Sequence, residues 1–148
     1  MPLPLKESIA RCQKLPRTDA VLWGRAQLLE PADRDLVEVV LIRGEPATLM
    51  ARIQGASPKR VRARVRQLGR RLASRRFVDA ARALAYLDAP DAELARLRFC
   101  GGLGLKALSG RLGRPVHQLR RRLDRIAAQI AVIHRIGRPS GLDRFQNN

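Results

Sequence analysis

The side chains that could do acid–base, nucleophilic or metal chemistry are few and scattered. The cysteines are Cys12 and Cys100, and the histidines are His117 and His134. Their positions miss every zinc-ligand spacing and offer no disulfide framework, which favours a reducing cytosol. No carboxylate pair, Cys–His couple or Ser–His–Asp set emerges, and the acids are expected mostly at solvent-facing positions. Gly101-Gly102-Leu103-Gly104 resembles a phosphate loop in composition. It lacks a preceding strand and a Gly-Lys-Ser/Thr ending, so it reads as a helix–helix connector. The expectation is therefore no enzyme, no cofactor and no metal. Cys100 is expected as a buried small apolar residue, and Trp23 as a packing residue. His134 is expected as a structural cation near a helix C-terminus.

What remains is cationic chemistry. Thirty basic residues stand against 13 acidic ones, a net charge of +17, and 26 of the basic residues are arginine. An excess of that size on a folded chain points to a polyanionic partner, most often nucleic acid. The charge comes in blocks. Ten basic residues and no acid lie between Glu45 and Asp79, and eleven lie from Leu94 to Arg138 against the single Asp124. Apolar residues make up 45% of 148, enough for a packed core. No apolar run reaches the roughly 18 residues of a membrane span, and the opening Met1-Pro2-Leu3-Pro4 does not read as a signal peptide. The expectation is a cytoplasmic, nucleoid-associated protein with no membrane partner.

Elements that could present these cations are helical. Three Phe, one Tyr and one Trp, with no sustained alternation, give almost no strand signal. Helices are expected over Lys6 to Leu15 and Thr18 to Leu29, the latter capped by Thr18. Another is opened by Pro31, with Leu36, Val39 and Val40 inward and its end at Gly44. Pro46 to Ile53 stops at Gly55, and a long helix capped by Ser57 then carries Val61, Val65, Leu68 and Leu72 on one face. Phe77 to Leu87 either continues it or restarts after Ser74. Beyond that come Pro90 to Cys100, Leu105 to Leu112 stopped by Gly113, and a long helix after Pro115. Its Leu119, Leu123, Ile126, Ile130 and Ile133 form one stripe.

The two halves match in order: Gly44 with Gly102, Leu49 with Leu108, Ile53 with Leu112, Val61 with Leu119. On that alignment the first turn is one residue longer. A short helix, a glycine turn and a longer basic helix form a helix-turn-helix pattern. The fold expected is all-α, with two tandem trihelical helix-turn-helix units whose third helices are long and basic. Its parts are a helical N-terminal extension (1–30), a first unit (31–76), a helical linker (77–89), a second unit (90–137) and a flexible tail (138–148).

The run from Leu97 through Gly101-Gly102-Leu103-Gly104, Ala107-Leu108-Ser109, Leu112-Gly113 and Leu119-Arg120 resembles the promoter-reading C-terminal domain of bacterial sigma factors. Residues 35 to 72 resemble a weaker second copy, and together they cover roughly 80 of 148 residues. The resemblance implies a bacterial, sequence-specific transcription regulator that reads double-stranded DNA. It does not extend to promoter melting, because the aromatic cluster of a complete sigma factor is missing.

Helical geometry puts Lys59, Arg62, Arg66 and Arg70 off the apolar stripe of the first unit, and Ser57 and Arg60 at the same helix start join them as DNA-facing candidates. In the second, His117, Gln118, Arg120, Arg121 and Arg125 lie off the stripe, with Arg122 nearer its edge. His117 and Gln118 suit base edges and the arginines suit phosphate. Two alternatives stay open: an adaptor binding RNA polymerase through the Leu119-to-Ile133 stripe, and a basic RNA-associated protein. A second copy of the chain, as a homodimer, is a further candidate partner.

Overall fold

A computed structural model of the chain describes residues 19–137. The expected Lys6–Leu15 helix, the Thr18 cap, Cys12 and the 138–148 tail lie outside the described residues. Among those described, the structure is all-helical, with helices joined by short turns.

Helix α1, Asp19–Ala26, has an acid in its first turn, where the helix dipole favours it, and buries Leu22 and Ala26. It ends before the expected Leu29. Leu28 and Leu29 donate to carbonyls only three residues back, which tightens the last turn ahead of Pro31. Helix α2 runs Pro31–Leu36 and widens into π-helical turns over Val37–Ile42. Helix α3, Ala47–Gln54, stops at Gly55, whose φ of 63° suits a residue with no Cβ. Ser57 caps α4, Pro58–Ala73, by accepting a hydrogen bond from the Arg60 amide at 3.2 Å.

The chain then breaks and restarts. Ser74 takes extended backbone and caps α5, Arg75–Ala83, accepting from the Phe77 amide at 3.2 Å; a 3-10 turn over Leu84–Tyr86 follows. Helix α6, Ala89–Ala95, is capped by Asp88 and again widens into π-helical turns, Arg96–Cys100. Helix α7, Leu105–Leu112, stops at Gly113, and α8 spans Val116–Ile136.

From α5 onward the backbone repeats what α1 to α4 did, 58 positions later. Gly44 and Gly102 both have φ 75°, and Gly55 and Gly113 have 63° and 62°. The bonds that close the π turns coincide: Arg43 to the Glu38 carbonyl answers Gly101 to Arg96, and Glu45 to Val39 answers Leu103 to Leu97. This register corrects the alignment drawn from the sequence. Buried Met50, not half-buried Leu49, corresponds to buried Leu108, while Ile53 is exposed. The two turns are thus equal in length, since Gly55 to Val61 and Gly113 to Leu119 are both six positions.

The repeating set is four helices. Within the span expected as a linker, Phe77, Ala80 and Ala83 are fully buried, and α5 packs on α6 and α8 as α1 packs on α2 and α4. One contiguous apolar cluster runs from Leu22 to Ile126 through both halves.

Candidate nucleic-acid interface

Each long basic helix is held by an acid from the first turn of an earlier helix. Asp33 in α2 accepts two bonds from Arg64 of α4, Nε to Oδ1 at 2.9 Å and Nη2 to Oδ2 at 2.6 Å. Fifty-eight residues on, Asp91 in α6 accepts from Arg122 Nε in α8 at 2.5 Å. The sequence reading put the acids mostly at solvent-facing positions. The structure instead turns Asp33 inward, only 7% exposed, and leaves Asp91 half-buried. A fixed ion pair on one side of the helix determines which other side meets solvent.

Arg122, also expected to meet DNA, is half-buried, and Asp91 holds its guanidinium against α6. Its counterpart Arg64 has the same role. The other expected contacts divide by position. Lys59, Arg60, Arg66 and Arg70 are exposed on α4, and Arg62 is half-buried. Ser57 is exposed, but its hydroxyl oxygen is engaged in the cap. His117, Gln118, Arg120, Arg121 and Arg125 are all exposed on α8. The two helix starts superimpose in register as Lys59 with His117, Arg60 with Gln118 and Arg62 with Arg120. Asp124 of α8 stands where α4 has Arg66, so the second face is the less basic of the two.

Four further cations have structural work. Arg71 lies at the end of α4 with its side chain 16% exposed and donates to the Gly101 carbonyl at 2.8 Å. Burial and then the nearby Arg64 lower its pKa from the usual arginine value, and Asp33 at 3.9 Å opposes them, so it stays a cation. Arg25 donates to the Leu72 carbonyl, and Arg76 lies over the Phe99 ring at 4.8 Å. Arg75 and Asp79 of α5 hold His134 of α8: Arg75 Nη2 is 3.0 Å from Nε2, and Nδ1 is 3.1 Å from Asp79 Oδ1. Sequence reasoning missed these pairings. The signal that could have revealed two of them is the shared separation of 31 positions between Asp33 and Arg64 and between Asp91 and Arg122.

The one cysteine among the described residues is shielded. Cys100 is fully buried, and desolvation pushes its thiol up to about 11 despite the opposing pull of Arg96 and Arg71. It is a neutral packing group at ordinary pH. No cluster of metal-ligating side chains occurs among the described residues. None of their helices is long and apolar enough to cross a membrane. No family model, curated protein or solved structure matches the chain.

Proposed function

We propose that the chain is a sequence-specific, double-stranded DNA-binding transcription regulator. Its two units act as tandem helix-turn-helix modules, similar to the C-terminal domain of bacterial sigma factors, and the first turns of α4 and α8 enter major grooves. The observation that carries this reading is the repeated arrangement of a clamped arginine and an exposed helix start. Arg64 and Arg122 are used inward by acids at matching places, while Lys59, Arg60, His117, Gln118, Arg120 and Arg121 stay outward. Arg62 and Arg120 stand at the same place relative to that clamp, so the two helix starts share one cation in register. Phosphates take the arginines and Lys59, and Gln118 with His117 addresses base edges. The nucleoid is the matching location.

Fluorescence anisotropy on equal-length DNA and RNA duplexes over a salt series tests the reading. DNA binding should weaken with a log–log slope of about 0.9 per neutralised phosphate. Replacing Lys59, Arg60 and Arg62 together by Ala should reduce the slope by about 2 to 3 units. Replacing His117 and Gln118 by Ala should blunt sequence preference and leave the slope unchanged. Binding that prefers RNA, or that ignores salt, would replace this reading with the basic RNA-associated one or with none.

The reading as a protein-partner adaptor, with RNA polymerase the expected partner, has its own observation. The expected seam is not open to a partner, since Leu119, Leu123 and Ile126 are spent in the core. Instead Tyr86 of the 3-10 turn and Ile136 at the far end of α8 are exposed along a groove of about 500 Å3 lined also by Ile133 and Arg82. Loss of polymerase binding on Ile136→Glu with DNA binding intact would support this second role.

A further inference from the structure

Beside the apolar cluster that both four-helix units share, a set of polar contacts joins them. Glu30 stands where the second unit has Asp88. Asp88 caps its own helix by accepting from the Asp91 amide at 2.9 Å, whereas Glu30 makes no cap bond to α2. Its carboxylate turns to the other unit instead. Oε2 accepts from Arg111 Nη1 at 2.6 Å, and Oε1, sealed from solvent, faces Arg96 Nη1 at 3.8 Å. Arg96 is aimed by Glu93, which takes two of its bonds, and reaches the Leu28 carbonyl at 3.4 Å.

Arg71 makes the second lock. Its bond to the Gly101 carbonyl lays the guanidinium against Gly102 so closely that a Cβ there would sit 2.3 Å from Cζ. In the 58-residue register the counterparts of Arg96, Arg111 and Arg71 are Glu38, Ile53 and Gln129. The cations are thus absent wherever there is no second unit to hold. Between α4 and α5 only Ser74 intervenes, and it is itself bonded to both, so no free linker separates the units.

We propose that Glu30 and Arg71 lock the two units into one rigid body that holds the α4 and α8 starts at a single separation, so the protein accepts two DNA half-sites at one spacing only. This deepens the DNA reading above and rests on it. Glu30 and Arg71 are positioning residues: they set the geometry of the reading helices without touching the bases. A tandem reader on a flexible linker tolerates a range of spacings, and a rigid one does not.

Two readouts on the full chain separate the lock from the DNA reading. Spin labels at Thr48→Cys and Ala107→Cys, both exposed, in a Cys12→Ser background report the distance between units. The native chain should give one narrow distribution. Gly102→Ala with Arg111→Ala, which displaces Arg71 and removes the Glu30 partner, should broaden it. Gly44→Ala is the control: it has the same φ of 75° but no neighbour within 4 Å, so it bears the backbone strain and leaves the lock alone. Where the double variant fails to fold, Arg111→Ala at its half-exposed side chain takes its place.

Selected DNA duplexes with the half-sites moved apart by about 5 or about 10 base pairs then test spacing. Both insertions should cost the native chain at least about tenfold in affinity, and the broadened variant should lose that discrimination. Equal binding at all spacings, or a distribution that stays narrow in the variant, overturns the proposal. Failure to bind any duplex overturns the DNA reading and the spacing claim together, while the distance measurement still decides whether the units are locked.

Discussion

Asp33 and Asp91 hold equivalent arginines under different burial, and that difference sets what their loss costs. Asp33 faces Arg64 through two bonds and Arg71 at 3.9 Å, and its own side chain is 10% exposed. Asp33→Ala removes the counter-charge of the inward Arg71 and the anchor of the partly exposed Arg64, so about 2 kcal/mol of stability should go. Asp91 holds one arginine in a wetter place, and Asp91→Ala should cost about 1 kcal/mol. Urea unfolding of the two variants checks the order, and an equal or inverted loss would mean that the Asp33 site is better hydrated than its geometry implies. Cys100 supplies a pH signature. Its folded pKa of about 11 lies above the ordinary thiol value of 9.0, so the folded state keeps its proton where the unfolded chain releases it. That contribution is fully present below pH 9 and is lost as pH rises towards 11, a decline on the order of 3 kcal/mol. Comparing stability against pH for the native chain and Cys100→Ala isolates it, because the variant should lack that part of the fall.

Elements defined by their own ends were legible in the sequence. Gly55 and Gly113 end helices in left-handed backbone, and Ser57 caps, because these signals act over one turn of chain. The π-helical turns after α2 and α6 were not legible, since they arise from packing and carry no residue signature. The register slipped by one because Leu49 has the more typical core side chain, yet Met50 is the one that faces inward. At the site, the exposed cations could be read from a helical projection. The projection could not show that acids 31 residues earlier would claim Arg64 and Arg122. Ser74 is the element boundary that sequence left undecided. Its hydroxyl donates to the Arg71 carbonyl at 2.7 Å while accepting from the Phe77 amide, closing α4 and opening α5 at one residue. Ser74→Ala should therefore cost about 1–2 kcal/mol, towards the upper end for a single cap. Ser74→Asp should recover most of it by restoring the acceptor, and thermal unfolding of the pair distinguishes lost capping from lost packing.

At the scale of the whole molecule, the question is whether two similar units behave as one. The apolar cluster runs without a gap from Leu22 to Ile126, and Phe77, just past the junction, is completely buried. Separating the units would also strip Glu30 of both its cations and leave Arg71 without its carbonyl. Neither half can unfold without exposing surface and charge that the other half covers, so a single cooperative transition follows. The chain offers a clean probe of this. Trp23 is its only tryptophan and sits in α1, at the edge of the first unit, whereas far-UV dichroism draws on every helix, including the 21 residues of α8 in the second. Tryptophan fluorescence and dichroism should give coincident urea transitions with the same midpoint. With Arg111→Ala and Gly102→Ala together the two curves should part, because the units then share less than they did. Curves that already part in the native chain would show two bodies merely touching, and the fixed geometry of the two basic helices would have to come from elsewhere.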